Sequence, residues 1–429
     1  MNILLLGSGG REHAFAKSIS SSVHCDQLFI APGNAGTLQC GTNVNISPTN
    51  FPELKKFSLE NKISMIVVGP EDPLVKGIVD FFQNDDELKH ISVMGPSMEG
   101  AKLEGSKAFS KAFMQRNGIP TAGYQTFTVS KIDDANRFID ELNPPYVLKA
   151  SGLAAGKGVL IINDPDEAKS ELKQIFFKDK FGEAGNEVVI EEFLHGVEVS
   201  VFVLTDGTNY VLLPEAKDYK RIGDGDKGLN TGGMGAISPV PFVTAEFLNK
   251  VKERIIQPTV SGLKKENLLY KGFIFFGLMK VNDDPYLIEY NCRMGDPETE
   301  AVLPRIKTDL VDLFLAVRNE TLDKISLEIS DEAAACVMMV SGGYPGNYEK
   351  GFVINGMENV SASLVFHGGT IKQNHAVLTN GGRVLAVTSL DDSIEKAITK
   401  SYQSVQQIHF DFEYYRKDIG KDLIVMNSK

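Results

Sequence analysis

The chain has 429 residues, enough for roughly two to four domains with ample core. Its apolar content of 42% and charged content of 23% are those of an ordinary globular protein, and a net charge of −12 argues against a broad basic surface for nucleic acid. No apolar run approaches a membrane span of ~18 residues, no basic leader precedes "NILLLG", and Cys25, Cys40, Cys292 and Cys336 form no C-x-x-C pair. A cytoplasmic protein with reduced thiols is expected.

Residues 1–103 read as an α/β unit. The runs "NILLLG", "QLFIAPG", "ISMIVVGP" and "ISVMGP" alternate with helical stretches, and each meets a glycine turn. Such runs predict a doubly wound parallel sheet, with ligands at the carboxyl ends of its strands. The first turn, "GSGGREH", is not a dinucleotide fingerprint: Gly7 and Gly9 fit, but Glu12 replaces the third glycine. A smaller phosphate at the helix N-terminus, helped by Arg11, remains reasonable. His13 reads equally as a helix cap or a substrate contact. "APGNAGT" (Ala31–Thr37) and "VGPEDPLVKG" (Val68–Gly77) are further loops on the same rim.

The segment 104–329 opens with a helix, "SKAFSKAFMQ", stopped by Asn-Gly and Pro. A small lobe is expected over about 122–194. Inside it lies "LKASGLAAGKGV", which is no Walker loop because Gly158 follows Lys157 where Ser or Thr is required. Each lysine alone reads as a solvent contact; together Lys107, Lys149 and Lys157 read as cations for one polyphosphate. "EEFLHGVE" offers backbone for an adenine edge and Glu198 for ribose hydroxyls, although a plain charged hairpin suits it better in isolation. Strands Val197–Leu204 and Tyr210–Pro214 predict a hairpin around "TDGTN". "PEAKDYKR" brings Lys217, Asp218, Lys220 and Arg221 together, either as a solvated turn or as an anion site. The glycine-rich "RIGDGDKGLNTGGMGAIS" predicts a loop that orders around a ligand.

A second hairpin, "GFIFFGLMKV" and "PYLIEYNCR", follows. On its second strand Glu289 and Asn291 face one side, and a carboxylate plus an amide oxygen suits a hard divalent cation that also holds phosphate. Arg293 adds a fork for carboxylate or phosphoryl oxygens. A solvated edge strand explains this triplet equally well. Asp296 and Glu298 open a helix, where acids also serve as N-terminal charge. Residues 330–429 predict a small α+β domain.

In their order, "GSGGREHA", "APGNAGT", "VGPEDPLVKG", "LEGSKAF", "LKASGLAAGKGV", "EEFLHGVEVS", "KDYKR", "NTGGMGAISP", "IEYNCRMGDPET" and "TNGGRVLAVT" resemble the phosphoribosylamine–glycine ligase family of ATP-grasp enzymes in early purine synthesis. The resemblance spans nearly the whole chain. The GKG loop is common to ATP-grasp enzymes, whereas "GGREHA", "NTGGMGA" and "NCRMGDPE" together are far more specific. It implies ATP-grasp lobes in the centre of the chain, ATP with Mg²⁺ or Mn²⁺, glycine and 5-phosphoribosylamine as substrates, and a monomer or weak homodimer.

The resemblance also implies site residues. A glycine flap with Gly152, Gly156, Lys157 and Gly158 would close on ATP phosphates beside Lys107 and Lys149. Glu191, Glu192, Phe193 and Leu194 would line the adenine, and Glu198 would hold the ribose. Glu289 and Asn291 would be the metal ligands. Arg293, Lys149 and Asp218 are the catalytic candidates. Gly9, Gly10, Arg11, Glu12, Asn34, Gly36, Glu71, Lys220, Arg221 and Asp296 are the substrate candidates. The family commonly has Asp where Ser151 stands and an aromatic where Met294 stands. Many relatives also carry a metal acid on the strand before Glu289, where this chain reads "FFGLMKV". The rivals are another ATP-grasp carboxylate–amine ligase, disfavoured by the "GGREHA" and "NTGGMGA" loops; a dehydrogenase, disfavoured by Glu12; and a nucleotide-binding regulator, disfavoured by Glu289, Asn291 and Arg293 occurring together.

Overall fold

The computed structural model describes residues 1–153, 158–177 and 180–427. Five parallel strands, β1 (Asn2–Gly7), β2 (Gln27–Pro32), β3 (Thr42–Asn43), β4 (Ile63–Val68) and β5 (Ser92–Pro96), lie in the order β3-β2-β1-β4-β5. Both faces are covered, so the strands are apolar throughout: Ile3 to Leu6 and Met65 to Val67 are buried. The order reverses at β1, which opens a crevice at the carboxyl ends of β1 and β4. The helix Gly10–Ser20 starts there, with Gly9 as its N-cap.

The helix Lys107–Arg116 is capped by Ser106 and ends at Asn117, before Gly118 with φ +65°. The small lobe follows. Its strands β6 (Tyr124–Thr128), β7 (Tyr146–Ala150), β8 (Val159–Ile162) and β9 (Glu187–Glu192) form an antiparallel sheet in the order β6-β9-β7-β8. Helices Ile132–Glu141 and Pro165–Phe177 complete it. Phe127, Ile139, Leu148, Leu172 and Ile190 belong to a core separate from the main one. The lobe therefore has its own cohesion.

The first sheet does not end at residue 103. The strand Tyr270–Val281 pairs with β5, placing Tyr270 opposite Pro96 and Lys271 opposite Gly95. It runs on antiparallel to β10 (Val197–Thr205), which pairs with β11 (Tyr210–Leu212), and to the strand Asp284–Asn291. The turn between the last two strands uses Asn282 (φ +47°) and Asp283 (φ +67°), the two positive values of a tight hairpin turn. Further along, Gly277 faces Glu289 while Leu278 faces Leu287. Ile288 is thus an extra residue, a bulge that re-aims the end of the strand.

The segment after residue 330 is likewise not self-contained. Its strand Ala333–Ser341 pairs with Arg383–Asp391 on one side and with Gly235–Ser238 on the other; the latter also pairs with Lys217–Asp218. The glycine-rich stretch is built of defined structure: a hairpin of Arg221–Gly223 with Lys227–Asn230, then the strand Gly235–Ser238. Pairing between residues about a hundred positions apart leaves no local mark in a sequence. Among the described residues, no helix is long and apolar enough to cross a membrane.

The small core makes a direct prediction. Leu148 is fully buried in it, so Leu148→Ala should cost roughly 2–5 kcal/mol. Amide exchange should accelerate on β6 to β9 and stay slow on β1 and β4. Unchanged exchange in the lobe would show that its core does not hold it together.

Candidate active site

A cavity of about 470 Å³ lies between the small lobe, the rim of the first sheet and the end of the strand Asp284–Asn291. Its cationic end has an unusual electrostatic arrangement. Lys111 and Lys149 each place Nζ 3.0 Å from the same oxygen of Glu191, and all three side chains are buried. Lys111 also donates to Thr121 Oγ1 at 2.6 Å. Burial pulls its pKa down to about 8 against the attraction of Glu191. Lys149 Nζ also lies 3.4 Å from the carbonyl of Ile288, the bulged residue. Lys107, one turn before Lys111, donates to Gly152 O at 3.2 Å, and burial lowers its pKa. Ser151 accepts from the backbone of Ala108 at 3.1 Å and so helps cap the helix Lys107–Arg116.

Glu289 lines the cavity beside these cations, and among the described residues it has no hydrogen-bond or ion-pair partner. Asn291 also lines it, with Oδ1 3.3 Å from Arg293 Nη2. The described residues hold no cluster of three His, Cys, Asp or Glu suited to a metal. An ion at Glu289 and Asn291 would therefore take its remaining ligands from phosphate and water. That suits Mg²⁺, which typically uses one or two protein carboxylates and keeps several waters.

Arg293 is held from two sides. It donates to Glu104 Oε1 at 2.9 Å and to Glu71 Oε2 at 3.3 Å. Burial raises the Glu104 pKa; Glu71 is also pushed up by burial, but Arg293 and Arg11 outweigh this and hold it below the usual range. Glu104 also accepts from the backbone and thiol of Cys292, at 2.8 and 3.1 Å.

On the opposite wall, strand alternation sends Asp218 and Lys220 into the cavity. Lys217 turns the other way, to Asp422 at 3.1 Å. Lys220 binds Glu198 at 2.5 Å and holds its carboxyl below the usual range. Burial raises the pKa of Asp218, and burial together with Asp218 raises that of Glu298 to about 7.

The N-terminal loops are largely self-satisfied. Glu12 accepts from Gly9 N at 2.6 Å and from Arg11 Nε at 2.7 Å. A Cβ at Gly7 or Gly69 would collide with its side chain, which explains glycine at both positions. Glu12 thus braces the first turn. Asn34 donates to Ser8, Gly9 and His367 carbonyls and accepts from Gly36 and Thr37 backbone N–H groups. Gly36 packs against His13 and His367. His13 Nδ1 accepts from His367 N at 2.8 Å, and burial takes its pKa down to about 3, so it joins the first and last segments as a neutral ring.

Of the residues singled out in the sequence, Arg11, Glu71, Lys107, Lys149, Gly158, Glu191, Asp218, Lys220, Glu289, Asn291, Arg293 and Asp296 converge on this cavity. Gly9, Gly10, Glu12, Asn34, Gly36, Gly152, Glu192, Phe193, Leu194, Glu198 and Arg221 do not line it. Glu192 instead accepts from Gly123 N at 2.7 Å, and Arg221 donates to Gly228 O within its own hairpin at 2.8 Å. Gly156 and Lys157 lie outside the described residues. The sequence reading missed Glu104, Lys111 and Arg383 as cavity residues, and took Glu298 for helix-terminal charge. Lys111 carried a usable signal: it stands four residues after Lys107, on the same helix face. Arg383 stands within the motif "TNGGRVLAVT", but nothing local to it points to this cavity.

Three family descriptions match the chain. "Phosphoribosylglycinamide synthetase, N domain" matches 1–104, "Phosphoribosylglycinamide synthetase, ATP-grasp (A) domain" matches 105–299, and "Phosphoribosylglycinamide synthetase, C domain" matches 334–422. The chain is 45% identical to phosphoribosylamine–glycine ligase of Fusobacterium nucleatum and 45% identical to that of Escherichia coli, in each case over 98% of both chains. It superposes on the crystal structure of phosphoribosylamine–glycine ligase from Thermotoga maritima with a TM-score of 0.85 at 34% identity, covering 98% of this chain and 100% of the other.

The buried acid Glu298 gives a pH test. Its carboxyl titrates near 7 when folded and near 4.5 when free, so between these values the folded state holds the extra proton. Its contribution to stability is then full below about pH 4.5 and is lost as pH rises through about 7. Relative to the native chain, Glu298→Gln should gain stability progressively between about pH 5 and pH 8, reaching a few kcal/mol in urea titrations. Parallel curves for the two proteins would exclude an elevated pKa.

Proposed function

The chain belongs to the phosphoribosylglycinamide synthetase family, and we propose that the cavity around Lys149, Glu289 and Arg293 is where it carries out the ligation. The reaction joins glycine to 5-phosphoribosylamine with consumption of ATP, yielding glycinamide ribonucleotide, ADP and phosphate in purine biosynthesis. The observation that carries the placement is the meeting of buried lysines, the unpaired carboxylate Glu289 and a doubly braced arginine on one cavity wall.

A carboxylate does not acylate an amine in water, because its oxygen is a poor leaving group. Glycine's carboxylate therefore attacks the terminal phosphorus of ATP, giving glycyl phosphate and ADP. The amine of phosphoribosylamine then attacks the glycyl carbonyl and phosphate leaves with the bonding electrons, while the new amide nitrogen gives up a proton. Lys149 and Lys107 stabilise negative charge on the transferring phosphoryl group. Glu191 holds Lys149 on station; the strand it ends leads into Glu192 to Leu194, whose backbone suits an adenine edge. Glu289 and Asn291 would hold Mg²⁺ or Mn²⁺, which supplies charge neutralisation to the phosphate oxygens.

Arg293, fixed by Glu71 and Glu104, orients glycine's carboxylate. Asp218 and Lys220 form the facing wall. Arg11 and the rim loops with Gly9, Gly10 and Gly36 serve the phosphoribosyl group, with Glu12 and Asn34 fixing their shape. Closing the small lobe and its glycine loop over the cavity excludes water, which would otherwise hydrolyse the acyl phosphate. The reaction is that of a cytoplasmic enzyme with small-molecule substrates.

Phosphate release tests this reading. With ATP, Mg²⁺, glycine and freshly generated phosphoribosylamine, one amide should form per ATP, and omission of either glycine or the amine should stop turnover. Lys149→Met and Glu289→Ala should each lower kcat by about 10²–10³-fold. Full activity in either variant would move the chemistry elsewhere.

A further inference from the structure

The cavity has a fourth wall that the ligation chemistry does not yet use. It is built around Asp296 by two residues from distant parts of the chain. Arg383, on the strand Arg383–Asp391 of the last segment, directs Nη1 at three acceptors: the Asp296 carboxylate at 3.1 Å, the Asp296 carbonyl at 2.6 Å and the Gly232 carbonyl at 2.6 Å. One guanidinium nitrogen thus ties the side chain and backbone of Asp296 to the glycine-rich loop. Arg383, Asp296 and Gly232 all line the cavity.

Beneath them lies Glu300, completely buried, with neither carboxyl oxygen hydrogen-bonded among the described residues. The charged groups that act on it are Asp296, Arg383 and Arg11. Two buried carboxyl groups that act on one another are not both ionised at little cost, so one of them favours the protonated form. Burial, reinforced by Asp296, raises the Glu300 pKa, whereas at Asp296 the surrounding Arg383, Arg11 and Arg293 outweigh burial and keep the carboxyl below its usual range. The surroundings therefore favour a protonated Glu300 beside a charged Asp296.

The pair also fits closely under the first helix. A Cβ at Gly10 would collide with Glu300 Oε1, and a Cβ at Gly9 would stand 3.2 Å from Asp296 Oδ2. Asp296 is consequently fixed where the rim of the first sheet meets the cavity. A carboxylate only accepts hydrogen bonds. The ligand group it suits is a hydroxyl- and amine-bearing sugar and not a phosphate.

We propose that Arg383 and Glu300 are positioning residues that hold Asp296 as an oriented acceptor for the ribose hydroxyls of phosphoribosylamine. This rests on the ligase reading of the cavity. It gives the last segment of the chain a role in recognising the acceptor substrate, exerted through Asp296.

Steady-state kinetics with each substrate varied in turn decide the matter. Turnover by the unmodified enzyme comes first, because its absence would defeat the ligase reading itself. Given turnover, Arg383→Ala and Asp296→Asn should each reduce kcat/KM for phosphoribosylamine on the order of 10²-fold, with KM for ATP and glycine unchanged. The double variant should be no worse than Asp296→Asn alone, as expected for residues acting as one unit. Arg383→Lys should recover part of the loss. Glu300→Gln, neutral and polar like the protonated acid, should retain near-native kinetics, and Glu300→Leu should not.

Tyr344→Phe supplies the control for the loop, since the Tyr344 hydroxyl accepts from Gly232 N at 2.9 Å without touching Asp296. It should leave KM for phosphoribosylamine unchanged. A rise in KM for glycine in place of phosphoribosylamine, additive losses in the double variant, or an equal loss in Tyr344→Phe would each overturn the proposal. Should Arg383→Ala fail to fold, Arg383→Lys and the contrast between Glu300→Gln and Glu300→Leu separate the same outcomes.

Discussion

The site depends on one carboxylate. Glu191 accepts Lys111 and Lys149 on a single oxygen, and without it two buried ammonium groups would face each other unscreened. Removing one partner from such a cluster leaves an uncompensated buried charge, which is far costlier than losing an exposed ion pair. The three residues come from two bodies: Lys149 and Glu191 from adjacent strands of the small lobe, Lys111 from the helix that leads into it. The same ion triad therefore gathers positive charge where we propose that the polyphosphate binds, and it joins the lobe to the rest of the molecule. The other oxygen of Glu191 is buried and unpartnered among the described residues.

A backbone irregularity links that triad to the opposite wall. Ile288 bulges out of the ladder with the strand Tyr270–Val281, its carbonyl faces Lys149, and the next residue is Glu289. Beyond the bulge the ladder is regular, with Glu289 opposite Gly277 and Asn291 opposite Phe275, so both residues stay on one face. The bulge fixes lysine and carboxylate relative to one another through main chain. Such fixed charge serves phosphoryl transfer, because dipoles already in place need no reorganisation when negative charge moves.

The same logic extends to the ends of the chain. His13 accepts from the backbone of His367, Arg383 grips Asp296 and Gly232, and the strand Gly235–Ser238 is hydrogen-bonded to Ala333–Ser341. The first sheet and the central sheet are one continuous ladder through β5 and the strand Tyr270–Val281. The N-terminal, central and C-terminal segments are thus successive in sequence but shared in hydrogen bonding, and among the described residues only the small lobe keeps a core of its own.

Local chemistry was legible without the structure. Continuous apolar runs ending in glycine specify parallel strands with a crevice at their ends, paired apolar runs specify the second hairpin, and Asn117-Gly118 followed by Pro120 stops a helix, because each effect acts within a few residues. The ordered motifs likewise carried the family. What only the tertiary structure decided was partnership. It revealed that Glu12 and Asn34 brace loops, that Lys111 joins Lys149 on Glu191, and that Arg383 reaches Asp296 from 87 residues away. A buried ionic group takes its role from whatever desolvates and faces it, and those neighbours come from chain folding in three dimensions rather than from spacing along the sequence.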